Sequence, residues 1–291
     1  MRRSRLTLLS LLAPALFACA DSATSPAASD ASDIAPSALT FQGTGPRIYG
    51  VDTQNRLLVF SANPGNAFLD AMTITGLVSP GEFVVGIDFG PQDHLLYAIS
   101  NWGRVYTLNR ETAAATQVGT DFIRPEIKGM SYGVDFNPVV NRIRVHSNRD
   151  QNLRINQLNG TLVAFDGTLI YADGDVNFGA NPSIVGTAYT NSLAVATTTT
   201  LYAIDSDLDI LTILPSPNTG VLSTVGSLGV NTGLFAGFDI DGSSNVAYAA
   251  LSTLAGGRSA LYTINLGTGA ATLVKAIGGA EFPLVGIAIT P

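Results

Sequence analysis

Three aspartates occupy the same position of a short repeated pattern, and converging carboxylates are typical ligands of Ca²⁺ and other hard cations. Asp88, Asp135 and Asp239 each follow a glycine by two residues, in the segments VGIDF, YGVDF and AGFDI. Two further copies carry Ala188 and Ala288 at this position, which argues against a symmetric metal ring. Aspartate at a strand end also accepts hydrogen bonds from amides of the following turn, and the pattern favours this structural role.

A second acidic motif, D-x-D-x-D, consists of Asp205, Asp207 and Asp209 and resembles the start of a calcium loop. A helix-flanked calcium loop requires glycine at position six and an acidic residue at position twelve. Ile210 and Ser216 occupy those positions here. The motif also lies between two predicted strands, so we predict a solvated hairpin tip, with weak calcium binding as the alternative.

Histidine, the most frequent general base, is scarce in this chain. His94 and His146 are its two histidines, and no H-E-x-x-H motif, G-x-S-x-G motif or glycine-rich phosphate loop occurs. We interpret His146 as a packed or surface residue, because no serine in a recognisable activated setting accompanies it. A non-enzymatic ligand-binding or protein-interaction module is therefore favoured. The alternative is a hydrolase or lyase that acts on an extracellular or envelope polymer through a site built from loops.

Positive charge is concentrated in one part of the chain. Eight basic residues lie between Arg104 and Arg154, whereas residues 155–257 contain eight aspartates and no basic residue. We expect an asymmetric charge distribution, with a basic side and an acidic side of the domain. We also expect Arg142 and Arg144, which alternate along one strand, to pair with the neighbouring Asp135. The net charge of -7 makes nucleic acid a poor partner.

The elements that must position these residues are short strands in five repeats. The glycine of the pattern recurs about every 50 residues, a spacing typical of propeller blades. Its five copies are Gly86, Gly133, Gly186, Gly237 and Gly286. Each of the first four is followed by a turn and by two or three runs rich in aromatic and β-branched residues, which predicts strands. Four strands per repeat predict a β-propeller.

The two ends of the repeat region complement each other. The last copy, residues 285–289, is an inner strand with no room for partners after it, whereas residues 47–76 supply three strands with no inner strand before them. One blade built from both ends would remove two exposed sheet edges. We therefore predict an all-β, five-bladed propeller with about four antiparallel strands per blade. Its ring is closed by the C-terminal strand joining the N-terminal blade.

The candidate ligand-binding residues surround the only tryptophan of the chain. In a propeller, the loops between second and third strands share a face with the links between blades. This rule places six side chains on one face: Trp102, Arg124, Lys128, Asn148, Arg149 and Asn152. An aromatic ring beside guanidinium groups suits an acidic sugar or another planar anion. We predict an anionic glycan or another envelope protein as the partner, the alternative being a packed rim tryptophan among solvated charges.

The N-terminus predicts export and a lipid anchor. A basic start precedes an apolar stretch at residues 6–17, which is shorter than the roughly 20 residues of a membrane-spanning helix and fits a signal peptide. Residues 16–19, LFAC, resemble a lipobox, in which the cysteine is acylated and becomes the new N-terminus. Cys19 is the only cysteine. An ordinary signal peptide cut nearby is the alternative.

We accordingly predict a lipoprotein signal peptide at residues 1–18, followed at residues 19–40 by the lipidated cysteine and a disordered spacer rich in Ala, Ser, Pro and Asp. A single propeller domain covers residues 41–291. The expected protein is a monomer without a cofactor, exported and anchored through Cys19 to the bacterial cell envelope, at the outer membrane where one is present.

Several segments, in order, also resemble a known family. They are residues 135–138 (DFNP), 141–145 (NRIRV), 151–156 (QNLRIN), 188–191 (AYTN), 201–205 (LYAID) and 220–229 (GVLSTVGSLG). Through them the chain, roughly over residues 47–291, resembles the secreted bacterial proteins grouped as domain-of-unknown-function family 4394. The resemblance implies no activity, because that family has no established one.

Overall fold

The structure is a computed structural model that describes residue 39 and residues 44–64, 70–120, 127–252, 257–277 and 282–291. These residues belong to one compact unit built from β-strands, with one turn of 3-10 helix at Pro217–Thr219. In this described part, no helix is long and apolar enough to cross a membrane.

The strands form five sheets, which are the five blades. Blade 1 contains β1 (Arg47–Asp52), β2 (Arg56–Ser61) and β3 (Asp70–Thr73). Blade 2 contains β4 (Val84–Phe89), β5 (Leu96–Ser100), β6 (Val105–Leu108) and β7 (Ala115–Gln117). Blade 3 contains β8 (Tyr132–Asn137), β9 (Arg142–Ser147), β10 (Asn152–Ile155) and β11 (Leu162–Phe165). Blade 4 contains β12 (Ile170–Tyr171), β13 (Ile184–Tyr189), β14 (Leu201–Asp205), β15 (Ile210–Leu214) and β16 (Val221–Ser227). Blade 5 contains β17 (Ala236–Ile240), β18 (Ala247–Leu251), β19 (Ala260–Ile264) and β20 (Ala271–Ala276), and β21 (Leu284–Ile289) returns to blade 1.

The glycine-centred pattern forms the innermost strand of every blade, namely β4, β8, β13, β17 and β21. Glycine is required because the inner strands of neighbouring blades approach closely. A Cβ atom on Gly133 would lie 2.5 Å from the amide nitrogen of Thr187, and one on Gly237 would lie 2.5 Å from that of Ile287. The repeated glycine thus reflects the narrow centre of the ring.

The C-terminal strand closes the ring. β21 pairs with β1 in antiparallel register, from Ile289 opposite Ile48 to Leu284 opposite Asp52. The predicted five-bladed, all-β architecture and its closure are therefore confirmed. Blade 4 adds one unpredicted feature, since the short β12 pairs with β16 as a parallel fifth strand.

The apolar core lies between neighbouring blades. Tyr49 of blade 1 meets Phe89 of blade 2 edge-on, with ring centroids 5.8 Å apart, and Tyr97 of blade 2 meets Phe136 of blade 3 at 5.1 Å. Such edge-to-face pairs add to the apolar area that the blades bury against each other.

The inner strands define two faces of the ring. We call the face where each inner strand begins the top face, and the face where it ends the bottom face. The Asn101 N–H donates to the Phe83 carbonyl (2.9 Å), and the Asn148 N–H donates to the Ser131 carbonyl (3.1 Å). Each bond joins a loop between second and third strands to the link before an inner strand. Both kinds of segment therefore share the top face, as the sequence predicts.

Candidate functional site

The three repeated aspartates converge inside the ring. Asp88, Asp135 and Asp239 lie on β4, β8 and β17, and one carboxylate oxygen from each lies within 4.8 Å of the others. All three side chains are buried. Among the described residues, this aspartate triad is the group of acidic, histidine or cysteine side chains with the spacing of a metal site.

Each member of the triad accepts a hydrogen bond from the inner strand of the next blade. The donors are the Phe136 N–H to Asp88 (2.7 Å), the Tyr189 N–H to Asp135 (3.0 Å) and the Ile289 N–H to Asp239 (2.6 Å). This geometry supports the structural interpretation of these residues. It corrects the predicted donors, because these amides belong to a neighbouring strand rather than to the following turn.

The environment of the triad favours the protonated carboxyl. Burial, followed by repulsion from neighbouring carboxylates, raises the pKa of Asp88 and of Asp135 well above 3.8. Burial raises the pKa of Asp239 to about 7, and the charge of Asp241 adds to this effect. Three carboxyl groups at this spacing can share protons, or hold one cation when they are deprotonated.

The D-x-D-x-D motif forms a hairpin tip in which two carboxylates bind the protein itself. Asp205 is buried and accepts the Tyr171 hydroxyl and the Asp207 N–H, while Asp209 accepts the Thr232 N–H (2.7 Å). Asp207 alone of the three is exposed. Calcium binding at Asp205, Asp207 and Asp209 stays a prediction.

His146 is a core residue of blade 3. Its Nδ1 lies 3.0 Å from Thr187 Oγ1, and its Nε2 lies 3.1 Å from Asn152 Oδ1. Burial, with a smaller contribution from the charge of Arg144, lowers the pKa of His146 to about 3. The imidazole is therefore neutral at physiological pH and is held away from the surface.

A cavity of about 300 Å³ opens on the top face at the mouth of the central channel. Phe83, Met130 and Leu234 line it from the links before β4, β8 and β17, together with Asn101 and Phe235. Phe83 and Met130 are 48% and 66% exposed, so its rim presents apolar surface to solvent. A concave, mostly apolar site with a few polar groups is typical of small-molecule binding. We call it the mouth cavity.

Trp102 lies next to this cavity, in the loop that also carries Asn101. It is 41% exposed, and the guanidinium carbon of Arg104 lies 5.3 Å from its ring centroid. Arg104 in turn forms a salt bridge with the buried Glu82 (3.0 Å). The cation–π contact therefore restrains the indole on one side and leaves the remainder accessible.

The other candidate residues occupy different settings on this face. Asn148 Oδ1 accepts the Met130 N–H (3.0 Å) and thereby fixes one wall of the mouth cavity. Lys128 and Arg149 are exposed on neighbouring segments of the top face. Arg124 lies outside the described residues.

Asn152 requires a correction. It is the first residue of β10 rather than part of the preceding loop, and its side chain is buried. Its NH₂ group donates to the Gly167 and Pro217 carbonyls, and its Oδ1 accepts from Arg144 (2.6 Å). These contacts keep Asn152 beneath the surface on which a top-face ligand would lie.

The expected pairing of Arg142 and Arg144 with Asp135 is also wrong. Arg144 is buried and forms its salt bridge with Asp166 (2.6 Å). Arg142 donates to the Asn141 carbonyl and to Gln157 instead. The reason is that the Asp135 carboxylate turns toward the channel and accepts the Tyr189 N–H.

The family of this chain follows from a sequence profile that matches the whole repeat region. The sequence profile described as "Domain of unknown function (DUF4394)" matches residues 46–288. The chain belongs to this family. Comparison with curated proteins found no match.

Solved structures show similarity to this DUF4394 chain at low sequence identity. A structural genomics protein of unknown function from Bacteroides thetaiotaomicron is 14% identical, with a TM-score of 0.49, over 87% of this chain and 67% of that one. An auxiliary nutrient binding protein from the same organism is 14% identical, with a TM-score of 0.40, over 72% of this chain and 57% of that one. Hydrazine synthase from Kuenenia stuttgartiensis is 14% identical, with a TM-score of 0.40, over 70% of this chain and 52% of that one.

Sequence reasoning missed the apolar lining of the mouth cavity in this DUF4394 domain. Phe83, Met130 and Leu234 each stand two residues before the first residue of the repeated pattern. Extending the alignment of the repeats by two residues upstream would have brought the three large apolar residues into one column. Their equivalent positions in the links explain why they line the same cavity.

Proposed function

We propose that this protein is a non-enzymatic ligand-binding propeller, carried on the bacterial cell envelope by a lipid at Cys19. The observation that carries the ligand-binding role is the mouth cavity, with its exposed Phe83 and Met130. Exposed apolar groups around a concave site favour a ligand, because covering them removes apolar surface from water.

The chemistry around the cavity favours a carbohydrate that carries an acidic group. Phe83 and the indole of Trp102 offer apolar faces against which a sugar ring can stack. Asn101 uses its Oδ1 to accept the Phe83 N–H, and its NH₂ group has no partner among the described residues. Lys128 and Arg149 place positive charge on the same face. An acidic sugar thus finds stacking surface, a hydrogen-bond donor and cations together.

Trp102 fluorescence provides the test, because Trp102 is the only tryptophan. Purified full-length protein is titrated with an oligosaccharide of uronic acids and, in parallel, with its neutral counterpart. We expect a saturable change with the acidic oligosaccharide. Phe83→Ala should weaken binding about tenfold or more, since a buried phenyl group contributes about 1.5–3 kcal/mol. Arg149→Ala should weaken it through the lost charge.

Leu158→Ala is the matched control, because Leu158 is an exposed apolar residue (73%) outside the mouth cavity. It should leave the titration unchanged. Identical titrations for wild type, Phe83→Ala and Arg149→Ala would contradict a ligand site at the mouth cavity. Equal responses to both oligosaccharides would contradict the acidic ligand while keeping the site.

The anchoring part of the proposal rests on the sequence. Residues 1–38 lie outside the described residues, and with them the signal peptide, Cys19 and most of the spacer. A lipid on Cys19 and a flexible spacer would hold a monomeric propeller close to the membrane. There it would bind an anionic glycan or another envelope protein.

A further inference from the structure

A second concave site lies between blades 3 and 4 and opens at the bottom face. Arg142 and Arg144 of β9 and Arg154 of β10 form one wall, and residues 215–219 of the β15–β16 loop form the other. The site has a volume of about 470 Å³. We call it the arginine groove. It is separate from the mouth cavity, which lies on the opposite face.

Positive charge exceeds negative charge in the arginine groove. One carboxylate, that of Asp166, pairs with two of the three guanidinium groups in the described part of the chain: Arg144 (2.6 Å) and Arg154 (2.7 Å). The Asp135 carboxylate does not pair with these arginines, because it accepts the N–H of Tyr189, whose side chain lines the groove. Burial also raises the pKa of Asp135 well above its ordinary value. Two positive charges are therefore left without a counter-charge from the wall.

Arg144 is a built-in part of the wall. It is only 2% exposed, and its guanidinium group donates to Asn152, Asp166 and, across the blade boundary, Asn218. A buried charge is stable only when it is hydrogen-bonded in this way. Through these hydrogen bonds, Arg144 holds the β15–β16 loop against blade 3. Asp166 also holds Arg154, but Arg142 has no carboxylate partner among the described residues.

Arg142 and Arg154 retain donors that make no hydrogen bond within the described part of the chain. Arg142 uses its Nη1 on Asn141 and Gln157, and Arg154 uses Nε and Nη2 on Asp166. Nη2 of Arg142 and Nη1 of Arg154 have no partner among the described residues. Both side chains are partly exposed, and the hydroxyls of Ser216 and Thr219 stand on the facing wall.

We propose that the arginine groove binds a small hydrophilic molecule with two negative charges, such as a phosphate or a dicarboxylate. Guanidinium forks match the oxygens of either group. The two unbalanced positive charges favour a dianion over a neutral ligand. Ser216 completes the site with a hydroxyl group that can donate to the same oxygens, whereas the Thr219 hydroxyl donates to the Ser216 carbonyl (2.7 Å) and shapes the loop.

Isothermal titration calorimetry tests the proposal with full-length protein and three probes: inorganic phosphate, succinate, and chloride at matched ionic strength. We expect saturable binding of phosphate, succinate or both, and none of chloride. Because a hydrogen bond to a charged group contributes about 1.5–3 kcal/mol, Arg142→Gln and Arg154→Gln should each weaken binding about tenfold or more. Arg258→Gln, the same change at an exposed site of blade 5, should have no effect.

Ser216→Asp is a variant that keeps the whole arginine wall. Ser216 is exposed and precedes the 3-10 turn, a position that aspartate readily occupies. Its carboxylate should compete for the arginines and abolish binding. Binding of phosphate alone or succinate alone would identify which oxyanion fits.

The proposal is overturned if neither dianion binds below about 10 mM, a concentration that corresponds to a very weak interaction. It is also overturned if Arg142→Gln and Ser216→Asp bind as tightly as wild type. Thermal melting of each variant verifies folding, and Ser216→Asp provides the decisive comparison if an arginine variant unfolds. None of these readouts involves Trp102 or the mouth cavity, so the two proposals succeed or fail separately.

Discussion

Replacing Asp135 with asparagine is expected to stabilise the protein at alkaline pH and to flatten the pH dependence of its unfolding free energy. Asparagine cannot ionise, and its carboxamide oxygen can still accept the Tyr189 N–H that Asp135 accepts in the wild type. Its NH₂ group supplies a donor toward the neighbouring carboxylates, as a protonated Asp135 does.

The direction of the effect follows from the raised pKa values of the triad. The folded state binds more protons than the unfolded state, so the unfolding free energy falls as the pH rises through the interval between the two pKa values. For Asp239 the interval extends from 3.8 to about 7. At about 1.36 kcal/mol per pKa unit, the ionisation of Asp239 alone removes about 4 kcal/mol once the pH has risen through the whole of this interval.

Asp135, whose pKa is also raised well above 3.8, adds to this loss. The triad oxygens lie within 4.8 Å of one another, and two unit charges at that distance repel by about 3 kcal/mol at an effective dielectric constant of about 20. Asp135→Asn removes this repulsion. The variant should therefore be more stable than wild type by about 3 kcal/mol near pH 8, and within about 1 kcal/mol of it near pH 4.

Urea unfolding followed by Trp102 fluorescence, at about pH 4, 6 and 8, measures these free energies. Asp207→Asn is the control, because Asp207 is exposed at the hairpin tip and should leave the pH profile of wild type unchanged. A D135N protein that is less stable than wild type near pH 8 would show that a charged Asp135 stabilises the fold. That result would refute the reasoning.

Three further predictions concern the ring and the anchor. Deletion of Leu284–Pro291 removes an inner strand whose Leu284 is fully buried, and loss of several such residues at about 2–5 kcal/mol each should abolish cooperative thermal unfolding. A truncated protein that melts like wild type would disprove closure by β21. Gly237→Ala should lower the free energy of unfolding in urea by about 1–3 kcal/mol, because its Cβ would lie 2.5 Å from the Ile287 amide nitrogen. Gly267→Ala is the control and should lower it less, because the nearest atom to its Cβ, Asn265 Oδ1, is 3.4 Å away. Cys19→Ala should leave unprocessed precursor in cell fractionation, and the same mature, membrane-bound form would exclude the lipid anchor.

The architecture could be predicted from local signals in the sequence. The glycine of the repeated pattern marks each inner strand, because only glycine fits where Gly133 and Gly237 meet the next blade. The order of strands at the two ends of the repeat region predicted the shared blade. The last strand is an inner strand without partners, and the first blade has partners but no inner strand of its own. These features depend on residues that are close in sequence or equivalent in each repeat.

Side-chain partners could not be predicted in the same way. The sequence placed Arg144 beside Asp135, which does stand opposite it in the strand register. The structure instead directs Arg144 to Asp166 and to Asn218, which is 74 residues away, because the two blades meet along this side of β9. Asn152 was assigned to a loop because nothing in its local sequence marks where β10 begins.

The sequence by itself determined the blade count, the closure and the residues of the triad, because strand periodicity and turn chemistry act over a few neighbouring residues. The tertiary structure alone decided that Phe83, Met130 and Leu234 form one cavity and that three arginines share a groove with a single carboxylate in the described part of the chain. Both sites combine side chains from different blades. Their positions depend on how the ring curves, and no short segment of the sequence encodes that curvature.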